Sequence, residues 1–261
     1  MTPLFSSHSG DLPLLISVPH DGREIPDDIR IGMTAAGLSI ADTDWHVAEL
    51  YNFAKQIGAN VVVANYSRYV IDLNRAADDA ALYPGQIVTG LCPEQTFAGD
   101  AIYTTAGVDE SAKAARVEHF WRPYHQHIQD TLDALRDRHG YALLWDAHSI
   151  PSHVPRLFDG ELPELNLGSN KGASCSVVVE SAVAEMAMSS AYSAVINDRF
   201  KGGYITRQYG DPENGVHALQ LEIAQRAYMD EATLILDKNK AATLRVTLEK
   251  MLHEFQRAAR A

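Results

Sequence analysis

The chain has 261 residues, 46% hydrophobic and 21% charged, and its 22 Lys and Arg against 34 Asp and Glu leave a formal charge of −12. That balance excludes a non-specific hold on nucleic acid or an anionic membrane, and any anionic ligand must be met by a local cluster of arginines or lysines. With no apolar run near the roughly 20 residues of a bilayer span, no secretory signal and two cysteines, Cys92 and Cys175, the chain reads as a cytoplasmic, soluble enzyme.

Residues 14–18 are a near-continuous apolar run stopped by Pro19, which predicts a strand buried on both faces. From 44 to 58, Val47, Leu50, Tyr51, Ala54 and Ile57 recur at helical spacing, with Asp42 or Thr43 to cap the helix and Gly58 to end it. Residues 61–64 and 69–73 predict two more strands. Residues 76–102, rich in Pro, Gly and Asp, read as a long loop of the kind that is either functional or disordered. A helix is expected over 111–139 with a break at Pro123, then a strand over 141–145 running into Asp146-Ala147-His148-Ser149. The stretch 151–172 is loop-rich. A helix over 176–189, strands over 192–196 and 217–224, and a long helix within 231–260 complete the chain. Strands alternating with helices predict an α/β fold with a mixed, largely parallel sheet, whose ligands gather where strands end. No repeat, low-complexity tract or polar linker divides it, so residues 1–261 are expected to form one domain.

Three element ends carry side chains able to hold a metal: His20 after the first strand, Asp42-Thr43-Asp44 at a helix start, and Asp146-Ala147-His148. Two neutral imidazoles and one carboxylate suit zinc and leave the fourth position to water. Asp42 and Asp44 compete for the carboxylate place; Asp44 is preferred, with Asp42 as cap or support. Asp146 shares a strand face with His148 and can orient its imidazole. Glu222 lies in Leu219-Gln220-Leu221-Glu222-Ile223-Ala224, too apolar for an exposed strand. Its carboxylate therefore faces a cleft, where burial suits it to general-base work, or pairs with an arginine.

Arg68, Asn74 and Arg75 crowd around one predicted strand, and a guanidinium grips carboxylates with a planar fork. Lys201-Gly202-Gly203-Tyr204-Ile205-Thr206-Arg207 adds a second cationic stretch, whose glycines permit close backbone approach. His125 and His127, two apart on a helix, do not share a face and read as surface residues. His217 falls on the strand face opposite Glu222. Ser149 and Cys175 lack the surroundings of a nucleophile signature.

Pro19-His20-Asp21-Gly22, Asp42-Thr43-Asp44-Trp45, Tyr66 through Arg75, Asp146-Ala147-His148-Ser149 and Lys201 through Gly210 together resemble the N-formylglutamate amidohydrolase family. They do so in the same order, from roughly Leu14 to Tyr228. The two longest strings are the specific part. That family acts in histidine degradation and is related to zinc carboxypeptidases. The resemblance implies a three-layer α/β/α, phosphorylase/hydrolase-like fold, with zinc or another divalent metal on His20, Asp44 and His148. It carries a catalytic carboxylate onto Glu222, and onto Asn74-Arg75 a pair that binds substrate carboxylate and polarises a carbonyl. The relatives' His-x-x-Glu pair is absent, since Arg23 stands three residues after His20, which leaves Asp44 as the carboxylate ligand.

The implied reaction is hydrolysis of N-formyl-L-glutamate to formate and L-glutamate. So small a dianion needs two cationic contacts from among Arg68, Arg75 and Arg207, with Arg75 serving the oxyanion or a carboxylate and Tyr204 offering a hydrogen bond or packing. Two competing expectations remain. One is a metal-dependent hydrolase of another N-acyl amino acid or short peptide; the other is a non-catalytic protein that binds an acidic amino acid and needs no Glu222.

Overall fold

Seven strands form one sheet: β1 (Phe5–His8), β2 (Leu14–Val18), β3 (Asn60–Ala64), β4 (Ala142–Ile150), β5 (Leu165–Gly168), β6 (Ala194–Ile196) and β7 (Val216–Ala224), in the order β1-β3-β2-β4-β7-β5-β6. The coordinates are a computed structural model that describes residues 2–80, 89–105 and 107–260; part of the expected 76–102 loop, residues 81–88, lies outside them. The central strands β3, β2, β4 and β7 run parallel. The edge strand β1 is antiparallel to β3, and β5 runs antiparallel to β7 while pairing parallel with β6. The sheet is thus mixed and largely parallel.

Residue parity sorts the two faces. Leu14 and Ile16 of β2, Leu143 and Trp145 of β4, and Leu219 and Leu221 of β7 belong to one apolar cluster. Beyond the short helices α1 (Asp27–Arg30) and α2 (Ala35–Leu38) in the chain, it is closed by helices α3 (Val47–Leu50), α6 (Val177–Met188) and α8 (Lys238–Ala259). Leu15, Ala142, Leu144 and Ala218 belong to a second cluster, covered by α5 (Arg122–His139) and α7 (Tyr204–Tyr209). Further along the same strands, toward their carboxyl ends, this second parity ceases to be apolar and becomes Ser17, Asp146, His148, Gln220 and Glu222. Parallel register sets His148 beside Glu222 and Asp146 beside Gln220. A stripe of buried polar side chains therefore caps the core where parallel strands place ligands.

Several elements differ from the sequence reading. The expected helix over 44–58 is broken: α3 starts only at Val47, after His46 in a left-handed conformation with φ 64°, and a 3-10 turn over Asn52–Lys55 follows. Neither Asp42 nor Thr43 caps it. Residues 69–73 are a buried turn, not a strand. The Val70 N–H donates to the Ser67 carbonyl and the Asp72 N–H to the Leu91 carbonyl, and a short stretch with four apolar residues of five looks alike in either setting. The polar edge strand β1, the four-residue β5 inside the loop-rich stretch and the six-residue α7 were not expected from periodicity; all are too short to show one. The helical stretch around Pro123 consists of α4 (Glu110–Arg116), one wide π-helical turn over Val117–Trp121, and α5, with Pro123 in the first turn of α5. The wide turn falls directly before Pro123, which has no N–H to donate to the preceding turn. A short hairpin occupies the start of the expected C-terminal helix, which begins at Lys238 behind the Asp237 cap.

Candidate metal and substrate site

His20 follows β2 and is buried at 3% exposure, and Asp44 and His148 are equally enclosed. The Asp44 backbone N–H donates to the His20 carbonyl at 3.0 Å, which draws the two segments together. His20 Nδ1 lies 3.1 Å from His148 Nδ1, and Asp44 Oδ2 lies 3.0 Å from His148 Nδ1 and 3.7 Å from His20 Nδ1. A zinc ion bonded at about 2.0–2.1 Å sets tetrahedral ligand atoms roughly 3.3 Å apart, so these separations fit a shared cation. The outer nitrogens are held as metal ligands usually are. His20 Nε2 meets Asp72 Oδ1 at 2.7 Å, and His148 Nε2 meets Asp146 Oδ2 at 3.0 Å. Asp42 is turned elsewhere, accepting the Phe97 N–H at 2.8 Å. Arg23 pairs with Asp21 at the surface, outside the cluster.

The electrostatics favour positive charge in this cage. Burial opposes ionisation of Asp44, yet Arg68 and the two imidazoles hold its carboxyl below the usual range. Burial also opposes a charged His148, but Asp146 and Asp44 raise it well above an ordinary histidine. Arg68 Nη2 donates to Asp44 Oδ1 at 2.6 Å and to His20 Nδ1; the lone pair it takes on His20 is the one a metal would need.

Across the strand pair, Glu222 makes no ion pair to an arginine among the described residues. It accepts from Gln220 Nε2 at 3.3 Å, and burial pushes its carboxyl up to about 8, with His148 pulling the other way.

His20, Arg68, Asn74, Arg75, His148 and Glu222 border one cavity of about 90 Å³. The buried turn that carries Asn74 and Arg75 is gripped at three backbone carbonyls: Arg116 Nη1 donates to Val70, His125 Nε2 to Leu73 and Trp121 Nε1 to Arg75, each at 2.9 Å. Asn74 Oδ1 accepts the Ile205 N–H at 2.8 Å, while its Nδ2 lies 2.9 Å from His148 Nε2 and donates to Asp146 at 3.2 Å. Gly203 permits that contact, because a Cβ there would stand 2.2 Å from Asn74 Nδ2. Arg75 is aimed by the Thr89 carbonyl, the Thr89 hydroxyl and the Asn74 carbonyl, each 2.9 Å away.

Tyr204 and Arg207 do not line this cavity; Arg207 Nε donates to the Gly202 carbonyl at 2.9 Å. Arg199 and Phe200 do line it, and sequence reasoning passed over them, since a lone Arg on a loop resembles any surface arginine. His125 is buried, not exposed as the sequence reading had it, with its Nδ1 2.9 Å from the Tyr209 hydroxyl. Ser149 is also enclosed, its hydroxyl 2.7 Å from that of Tyr228.

A two-histidine, one-carboxylate cluster faced by a desolvated glutamate, with arginines on the cavity wall, has the make-up of a hydrolase site able to hold a metal. Residues 12–229 match the family described as N-formylglutamate amidohydrolase. The chain is 51% identical over 233 residues to an N-formylglutamate deformylase of Pseudomonas putida, covering 88% of this chain and 87% of the relative. It is 45% identical over 259 residues to another of that name from Pseudomonas aeruginosa, covering 97% of both. Among solved structures, an N-formylglutamate amidohydrolase from Ralstonia eutropha JMP134 superposes with a TM-score of 0.82 at 24% identity over 98% of both chains. A gene product of Agrobacterium tumefaciens gives 0.74 at 18% identity, covering 96% of this chain and 95% of that one; these two likenesses bear on the fold. The chain belongs to the N-formylglutamate amidohydrolase family. No helix of the described residues is long and apolar enough to cross a membrane.

Proposed function

We propose that the protein hydrolyses N-formyl-L-glutamate to formate and L-glutamate, the last step of a histidine degradation route, in the cytoplasm and with a bound zinc ion. The observation that carries the reading is the convergence of His20 Nδ1, His148 Nδ1 and Asp44 Oδ2 beside Glu222, in a chain whose curated relatives bear the name of that activity.

His20, Asp44 and His148 would hold the ion, which when bound lowers the pKa of water from 15.7 toward about 7 and polarises the formyl oxygen. Asp72 and Asp146 keep the two imidazoles turned inward. Glu222 accepts the proton of the attacking water and later delivers it to the leaving amine. A carboxyl that titrates near neutrality suits both halves of that exchange. Arg75, fixed by Thr89 and Asn74, keeps two N–H groups of its five for a carboxylate or the developing oxyanion. Arg68 holds Asp44 ionised and adds positive charge to the wall. Arginines on the wall of one cavity are how a chain of net charge −12 would receive a dianion.

Formate release from N-formyl-L-glutamate, measured before and after a chelator, tests the reading. Turnover that stops with the chelator and returns with zinc is expected; release from N-acetylglutamate or a dipeptide but not from the formyl compound would replace the substrate.

A further inference from the structure

Arg199 lines the cavity but has no part in the reaction just described. It lies between β6 and α7, and its guanidinium carbon sits 5.7 Å from the centre of the Phe200 ring. Phe200 packs edge-on against Phe158 with 6.2 Å between ring centres, and with Ile150 and Leu157 gives the cavity an apolar wall.

The three guanidiniums around this space differ in their surroundings. Arg68 is committed to Asp44 at 2.6 Å, with Asp72 at 4.0 Å. Arg75 bonds to neutral oxygens and borders the same cavity as His20, His148 and Glu222, within which a substrate would meet it. An N-formyl amino acid carries its α-carboxylate one carbon from the scissile nitrogen. With the formyl group at the His20–Asp44–His148 cluster, that carboxylate falls to Arg75. What remains of the glutamate is a pair of methylenes ending in a second carboxylate. Apolar carbon followed by a cation, in that order, is what the Ile150, Leu157 and Phe200 wall and Arg199 supply.

We propose that Arg199 receives the side-chain carboxylate of the substrate and selects an acidic N-formyl amino acid over a neutral one. The inference rests on the deformylase reading above and deepens it. It moves to Arg199 the second cationic contact that the sequence reading sought among Arg68, Arg75 and Arg207.

The test compares kcat/KM for N-formyl-L-glutamate and N-formyl-L-glutamine in the metal-loaded wild type, Arg199→Gln and Arg199→Lys. The two substrates share a shape and differ in one charge. The wild type is expected to favour the acid by at least about 10²-fold, since an unmet buried charge is strongly discriminated. Arg199→Gln should shrink that ratio tenfold or more, chiefly through KM for the acid, and Arg199→Lys should fall between. Both rates come from one preparation, so incomplete folding of a variant cancels in the ratio. An unchanged ratio in Arg199→Gln, or a wild type without preference, overturns the assignment while deformylation stands. A wild type that releases formate from neither compound overturns both.

Discussion

At the residue scale the three donor atoms and Glu222 make separable predictions. His148→Ala should lose its metal and its turnover while staying folded, and metal analysis of the purified variant checks this. It should also be destabilised, because Asp44 and Asp146 lose a partner in a buried cluster, a change worth about 3–5 kcal/mol in comparable cases. Glu222→Gln keeps the shape and should keep the metal, yet kcat should fall about 10²–10⁴-fold, the usual worth of a positioned base. Gly203→Ala acts at one remove. Its methyl would displace Asn74 from His148 and Asp146, so kcat/KM should drop at least tenfold in a protein with near-normal circular dichroism.

The metal-capable residues were legible because each stands beside the boundary of an element that the sequence marks, such as the run before Pro19. Asp72 and Arg199 were not: nothing local tells a carboxylate behind an imidazole, or an arginine on a cavity wall, from a surface charge.

At the element scale, what the sequence revealed depended on length and burial. The strand β7, the helix α8 and the apolar first half of β4 are long enough to be read. The turn over 69–73 does not, since its apolar residues are buried on every side and owe their conformation to tertiary contacts with Leu91, α4 and α5. Helix α5 shows the same limit at His125, which neighbours Trp121, Tyr204 and Tyr209 rings. Burial pushes that imidazole down to about 3, against about 6.5 when exposed. Below pH 6.5 the unfolded chain therefore binds a proton that the folded one refuses. Stability fully present above that pH is lost toward pH 3, at up to about 1.4 kcal/mol per pH unit from this group. His125→Gln, whose amide can still donate to the Leu73 carbonyl, should show a smaller fall in Tm between pH 7 and pH 4 than the wild type.

For the whole molecule, the bound ion is expected to be a structural asset as well as a chemical one. Three segments far apart along the chain bring ligand atoms together at His20, Asp44 and His148, so a metal that binds the folded state alone stabilises it by about 4 kcal/mol at 1,000 times its Kd. In a chain of this size that is on the order of 10 °C in Tm. Calorimetry with and without a chelator checks it, and an unmoved Tm would mean that the cage holds no metal.

The wide turn at Val117–Trp121 has a consequence for how such a chain can change over generations. It resets the rotational phase between α4 and α5, so that Arg116 on one side and Trp121 and His125 on the other all reach the segment carrying Asn74 and Arg75. Inserting one further residue between Arg116 and Trp121, beyond the one the wide turn already accommodates, would turn Arg116 by about 100° and pull it off the Val70 carbonyl. Insertions at this place in the helix are therefore expected to be selected against for the sake of a cavity that its wide turn does not line.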